Sequence, residues 1–231
     1  MRNFFVLIVV AVFAYAMYGL YESFDGNQEL SKVARYYAEP QNVEKVNAQN
    51  LVTAVVVTYR GLDTLGEVTV LFLTAATIAF FLKKKSDVRT LRINSEIFKT
   101  AATVLYPIIL MLGIYIFING HLTPGGGFQG GAVMASAVIL MMLAFPNKPI
   151  NRSILEYIES TSGVMFVLLA ALGAAIGAGF LDNTILPMGT FGKLFSAGAI
   201  PVIYSFVGLK VGAELANIIT KYKAAQTDVQ Q

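Results

Sequence analysis

The chain of 231 residues contains no cysteine, only one histidine, and few charges: Asp, Glu, Lys and Arg make up 13% of it. Without cysteine there is no disulfide, no thiolate metal site and no thiol nucleophile. His121 alone cannot build a metal centre. A soluble domain typically carries about 25% charged residues. At 56% hydrophobic, with long runs free of charge, the composition points instead to a polytopic membrane protein. The net charge of +3 is small, and no nucleic-acid partner is expected. What matters is where the charges lie.

Six apolar runs, roughly 3–22, 64–82, 102–119, 128–145, 160–181 and 195–219, are each of about the 17–25 residues needed to cross a bilayer. They are continuous rather than alternating, so helices rather than barrel strands are expected. The first run fits either a signal peptide, with Ala14-Tyr15-Ala16 as its small-residue cleavage site, or an uncleaved anchor helix, which is the preferred reading. One set of loops holds Arg2, Lys83, Lys84, Lys85, Arg89, Arg92, Lys99, Lys148, Arg152, Lys221 and Lys223; the other holds Lys32, Arg35, Lys45, Arg60 and Lys193. That bias puts both termini in the cytoplasm. The fold class is therefore all-α, with about six transmembrane helices in the inner (cytoplasmic) membrane. Within the polar segment 23–60, residues 27–37 are expected to form a short surface helix. Asn50–Tyr59, too short to span, is expected to form an interfacial or half-buried one. A break in composition at Lys83–Lys99 suggests two units, a two-helix unit over 1–85 and a four-helix unit over 86–231.

Three stretches carry candidate chemistry. In YRGLDTLGE, Asp63 and Glu67 are four apart and share a helix face at the start of the second run. Asp63 or Thr64 reads as a helix cap and Arg60 as an interfacial anchor. Glu67 lies about one turn inside an apolar span, with no cation nearby in its helix. An ionisable group there is costly, and is by default a functional candidate. Burial is expected to raise its pKa toward neutrality, which suits binding and release of a proton or Na⁺; the alternative is an inter-helix hydrogen bond. Lys210 and Glu214, four apart in the last run, form either a self-neutralising pair or a charged relay facing a partner subunit. Pro107 and Pro201 are expected to kink their helices.

The third stretch, GHLTPGGGFQGG, holds six of the chain's twenty glycines. Gly125, Gly127 and Gly130 satisfy G-x-G-x-x-G, but neither the preceding strand nor the later acid of a dinucleotide site is present. Two readings remain. Gly125, Gly126, Gly127, Gly130 and Gly131 make a tight external turn, opened by Pro124, that lets a helix start close against a neighbour. Alternatively their backbone lines a wet cavity beside His121, itself read as a surface or hydrogen-bonded histidine, or as a proton shuttle. Gly173–Gly177 and Gly208–Gly212 are GxxxG packing motifs. There is no nucleophile–base set, metal cluster or cofactor motif, so no catalytic site and no bound cofactor are expected.

GHLTPGGGFQGGAVMASAVIL and VGLKVGAELANII resemble the B subunit of the Mrp-type multisubunit Na⁺/H⁺ antiporter, the MnhB-like family, over about residues 93–222. TYRGLDTLGEVTVLFLTAA resembles both the C-terminal tail of that antiporter's large A subunit and the small E subunit of energy-converting membrane-bound hydrogenases, over roughly residues 1–85, with RGxDTxGE (including Thr64 and Gly66) as its core. The resemblance implies membership of a large membrane complex related to respiratory complex I, with other membrane subunits of an antiporter or hydrogenase as partners. It implies a module that exchanges Na⁺ for H⁺, driven by the proton gradient or by ferredoxin oxidation in a separate arm. It places Glu67 on the ion path and makes Phe128 important in the glycine motif. The tail unit is normally joined to the large antiporter chain; here it is joined to the MnhB-like unit, which leaves the parent complex open.

Overall fold

The computed structural model describes residues 2–22, 30–39, 45–82, 94–146, 148, 150–177 and 179–227. Lys83–Lys85, Arg89 and Arg92, and most of the expected boundary between units, lie outside the described residues. The chain divides into two compact units, Met1–Tyr36 and Tyr37–Gln231. The first contains helix α1 (Arg2–Glu22), whose described side chains are all exposed. A helix apolar on every side has no face to turn toward water and suits lipid or other subunits. Helix α2 (Lys32–Ala38) covers the later part of the short surface helix expected over 27–37 and starts at Lys32; residues 27–29 lie outside the described residues.

The larger unit contains α3 (Leu51–Thr53), which continues as a π-helical turn over Ala54–Tyr59, followed by α4 (Gly61–Phe81), α5 (Glu96–Ile118), α6 (Gly127–Ala144), α7 (Arg152–Ile176) and α8 (Ile200–Thr227). Helices α4 to α8 are each long and apolar enough to cross a membrane, and the protein is an all-α, multi-pass membrane protein. Large apolar side chains such as Phe80, Ile97, Met111 and Ile176 are exposed, the arrangement lipid requires and water penalises.

Helix α8 is the centre of the bundle. Of its membrane-crossing window 61% is buried, against 17% for α4. It packs on α6 and α7, and also touches α4 and α5. Ile200, Ile203, Tyr204, Val207 and Val211 join Phe166 and Ala170 of α7 and Val57 of the π-helical turn in one core. Between membrane helices there is no hydrophobic drive to association, so close approach over small residues does the work. A Cβ on Gly130 would lie 2.6 Å from the Gly113 carbonyl oxygen of α5, and one on Gly131 would lie 2.7 Å from that of Gly208 on α8.

Several boundaries differ from expectation. Helix α7 begins at Arg152 rather than 160, because Asn151 caps it by accepting from the Ile154 amide at 3.4 Å, and it ends at Ile176 rather than 181. Helix α8 starts at Ile200 rather than 195. Ala197 and Gly198 have φ of +62° and +59°, which a right-handed helix cannot contain. Pro201 therefore sits in the first helical turn, where its missing N–H removes no bond, and it starts the helix instead of kinking it. Helix α5 runs through Pro107, from a cap in which Ser95 accepts from the Phe98 amide at 3.3 Å.

Gly131→Val is expected to force α6 away from α8 and to destabilise the protein by about 1–3 kcal/mol, read as a lowered Tm of the purified complex by dye-based thermal shift.

Candidate functional site

Arg60 occupies the N-cap position of α4 without making a side-chain cap. Its Nε donates to Asp63 Oδ2 at 2.6 Å, so Asp63 pairs with Arg60 in the first turn and does not cap. Thr64 does not cap either: its hydroxyl donates to the Val56 carbonyl at 2.7 Å, which ties the π-helical turn to α4. Nothing crowds Gly66. Glu67 is exposed on this chain's surface, inside the membrane-crossing window of α4. The expected burial does not occur among the described residues of the larger unit, where Glu67 is exposed. Among the described residues Glu67 makes neither an ion pair nor a hydrogen bond.

On α8, Lys210 Nζ lies 3.3 Å from Glu214 Oε2, with side chains 9% and 1% exposed. The two are partners of each other, buried at membrane depth. The Lys210 ammonium also sits 5.2 Å from the centroid of the Phe72 ring on α4, a cation–π contact. On α7, Gly163 leaves room for its stem: a Cβ there would lie 3.3 Å from Lys210 Cδ. One turn further along α8, Asn217 Nδ2 donates to Glu159 Oε2 of α7 at 3.0 Å.

Glu159 and Asn217 were not singled out from the sequence. The expected span began at 160 and left Glu159 outside the membrane. The signal was the helical spacing of Glu159 with the buried stripe Ser162, Phe166, Ala170 and Gly173.

The glycine stretch is clamped rather than open. Asn50 Nδ2 donates to the carbonyls of Gly120 and Thr123 at 2.8 and 2.9 Å, the Asn50 amide donates to the His121 carbonyl at 2.9 Å, and Thr53 Oγ1 donates to Gly120 at 2.6 Å. Tyr204 of α8 then donates to Thr53 Oγ1 at 3.2 Å. Pro124 is the exposed tip of this turn and Gly125 is half-buried behind it. Gly126 precedes the helix, Gly127 packs on Val207, and Phe128 packs against the core. His121 is fully buried, not at the surface: residues 193–194 of the long 177–199 connection close over it. Neither ring nitrogen makes a hydrogen bond of good geometry. Burial holds its pKa below the ordinary 6.5, although backbone groups of Lys193, Leu194 and Ile118 pull the other way. Among the described residues no group of three or more acids or histidines is placed to hold a metal ion.

Helices long and apolar enough to cross a membrane, with an opposite-charge pair buried on the central one and a carboxylate exposed on an outer one, define a class: an all-α multi-pass membrane protein that keeps ionisable groups within its spans. The family follows from the sequence. The profile for domains related to the MnhB subunit of the Na⁺/H⁺ antiporter matches residues 97–217, and the chain belongs to that family. The profile for the E subunit of MBH matches residues 2–92. The B subunit of the Na⁺/H⁺ antiporter of Bacillus subtilis is 36% identical over 39% of this chain and 66% of its own length, so the match spans just under two thirds of that relative. Among solved structures, a chain of the membrane-bound sulfane sulfur reductase (MBS), an archaeal respiratory membrane complex, superposes with a TM-score of 0.81 at 41% identity, covering 95% of this chain and 97% of that one. A chain of the Mrp complex from Dietzia shares the fold, with a TM-score of 0.75 at 23% identity over 96% of this chain and 26% of that one.

Two outcomes follow for this site. Lys210→Met leaves Glu214 buried and unpaired, and is expected to cost about 3–5 kcal/mol. Lys210→Met/Glu214→Leu should recover most of that loss, read by Tm and by assembly on native gels. His121 stays neutral in the folded protein while the unfolded chain takes up a proton below about pH 6.5, so its contribution is full above that pH and is lost as pH falls. The Tm should drop between pH 7.5 and 5.5, and His121→Gln should flatten the drop.

Proposed function

We propose that this chain is a membrane subunit of a Na⁺/H⁺ antiporter module within a complex-I-related multisubunit assembly, and that its intramembrane charges belong to the sodium and proton path. Glu67 carries the reading. A carboxylate one turn inside a membrane-crossing helix, exposed and without an ion pair among the described residues, is costly unless a neighbouring subunit or a water-filled passage covers it. An ion path between subunits supplies both. Family membership over 97–217 and the relationship to an antiporter B subunit support the same conclusion. In this reading the partners are other membrane subunits, Na⁺ and H⁺ are cargo rather than cofactors, and the chain has no catalytic site of its own. Its two parts, 1–85 and 86–231, are two neighbouring pieces of one module joined in a single chain.

One observation favours a redox-coupled parent over a free-standing antiporter. The likeness to the MBS chain runs nearly end to end in both proteins, whereas that to the Mrp chain covers 26% of the latter. An antiporter module attached to an electron-transfer arm fits that pattern.

Vesicles carrying the whole complex, with assembly checked on native gels, test the role of Glu67. Glu67→Gln is expected to assemble and to abolish Na⁺-dependent dissipation of ΔpH. Unchanged exchange would make this chain a scaffold and move the ion route into its partners.

A further inference from the structure

A small cavity of about 70 Å³ lies between α4, α7 and α8, lined by Phe72, Ala75, Ala76, Glu159, Glu214, Asn217, Ile218 and Lys221. Its polar atoms are mismatched in one direction. Asn217 Oδ1 and Glu214 Oε1 are buried without a hydrogen-bond donor, and Glu214 Oε2 has only the Lys210 ammonium at 3.3 Å, in residues that are 4% and 1% exposed. Acceptors left bare at membrane depth are costly, so the occupant must supply donors or positive charge.

Charge counting decides between the two. Lys210 neutralises Glu214. Glu159 and Lys221, both half-buried, add one charge of each sign, and α4 contributes only Phe72 and alanines to the cavity. The four groups sum to zero. A sodium ion would leave a whole unit of charge uncompensated in a low-dielectric site, whereas water adds none and offers two donors per molecule. A cavity needs only about 10–15 Å³ per water counted this way, so this one holds several. Its position gives the water a direction. Arg152 at the start of α7 donates to the Thr220 carbonyl at 3.4 Å, so the first turn of α7 stands level with the last turns of α8. Glu159 is two turns in from there, and Glu214 lies deeper and fully buried.

We propose that this cavity is a water-filled proton access site, with Glu159 as its outer acid, Asn217 as the amide that orients the water, and Glu214 as the inner acceptor. A proton taken up by Glu159 enters the pocket. Each water that gives a proton on the Glu214 side receives one on the Glu159 side, so the pocket itself is unchanged, and protonated Glu214 releases its hold on Lys210. This rests on the antiporter reading and goes beyond it, by assigning the proton, not the sodium ion, to the α7–α8 seam.

The test uses vesicles carrying the complete complex, with a pH-sensitive dye as the probe. If wild type shows no Na⁺-driven exchange, the antiporter reading falls. If wild type exchanges, Glu159→Gln and Asn217→Leu are expected to slow proton movement about tenfold or more, to shift its pH profile and to raise its D₂O isotope effect, with partial rescue by Glu159→Asp. Variants that exchange at the wild-type rate with an unchanged pH profile would overturn the pocket and leave the antiporter reading standing. Because Asn217→Leu also strains packing, the wild-type complex is treated in parallel with dicyclohexylcarbodiimide and its peptides are weighed. Modification of Glu214 that Na⁺ does not prevent supports a proton site. Protection by Na⁺, or no modification at all, contradicts it.

Discussion

At membrane depth Glu214 is ion-paired with Lys210 on its own helix, and the neighbouring helices are arranged around keeping those two together. The ion pair is tolerated only where both partners are held in one geometry and shielded from competing conformations. Helix α8 provides that by being buried on nearly every side. Its neighbours supply the rest: the Phe72 ring of α4 over the ammonium, the open backbone of Gly163 on α7 beside the lysine stem, and the glycine seam that draws α6 against the opposite face. None of these contacts is apolar burial in the sense that stabilises a soluble protein, because lipid competes equally for apolar surface. Close backbone approach and satisfied polar groups hold the fold instead.

The polar groups separate into two regions with different tasks. Around the Gly120–Thr123 turn, the hydrogen bonds from Asn50, Thr53 and Tyr204 meet backbone carbonyls and one another, and these contacts lock the turn between α5 and α6 to α3. Around Glu159, Asn217 and Glu214 the acceptors are left over. Where side-chain donors meet the backbone carbonyls of the turn the role is structural; acceptors left over beside a cavity leave room for something that moves. Glu67 belongs to neither. It is exposed on α4, inside the membrane-crossing window of that helix.

The sequence made some of this legible and hid the rest, for physical reasons. Lys210 and Glu214 could be found because a membrane helix advertises its charges and their spacing of four fixes them on one face. The packing glycines stood out because six of them crowd into one short stretch. Partners brought by a different helix were invisible: Glu159 sits in a stretch too polar to be counted as membrane, and nothing local ties it to Asn217. The burial of His121 was equally hidden, since it depends on a connection more than seventy residues away. The late start of α8 was set by left-handed backbone at Ala197 and Gly198, which hydropathy does not register. Asp63 looked like a cap because it is an acid near a helix start, yet Arg60 three residues earlier claimed it first.

The most direct measurement is ²²Na⁺ uptake by liposomes holding the complete complex, under an imposed pH gradient with the membrane potential clamped. Uptake is expected to follow the size and sign of the gradient and to disappear when a protonophore collapses it. Sodium that stays outside under every imposed gradient, in a complex shown to be intact, would contradict the reading of this chain as part of a Na⁺/H⁺ exchanger.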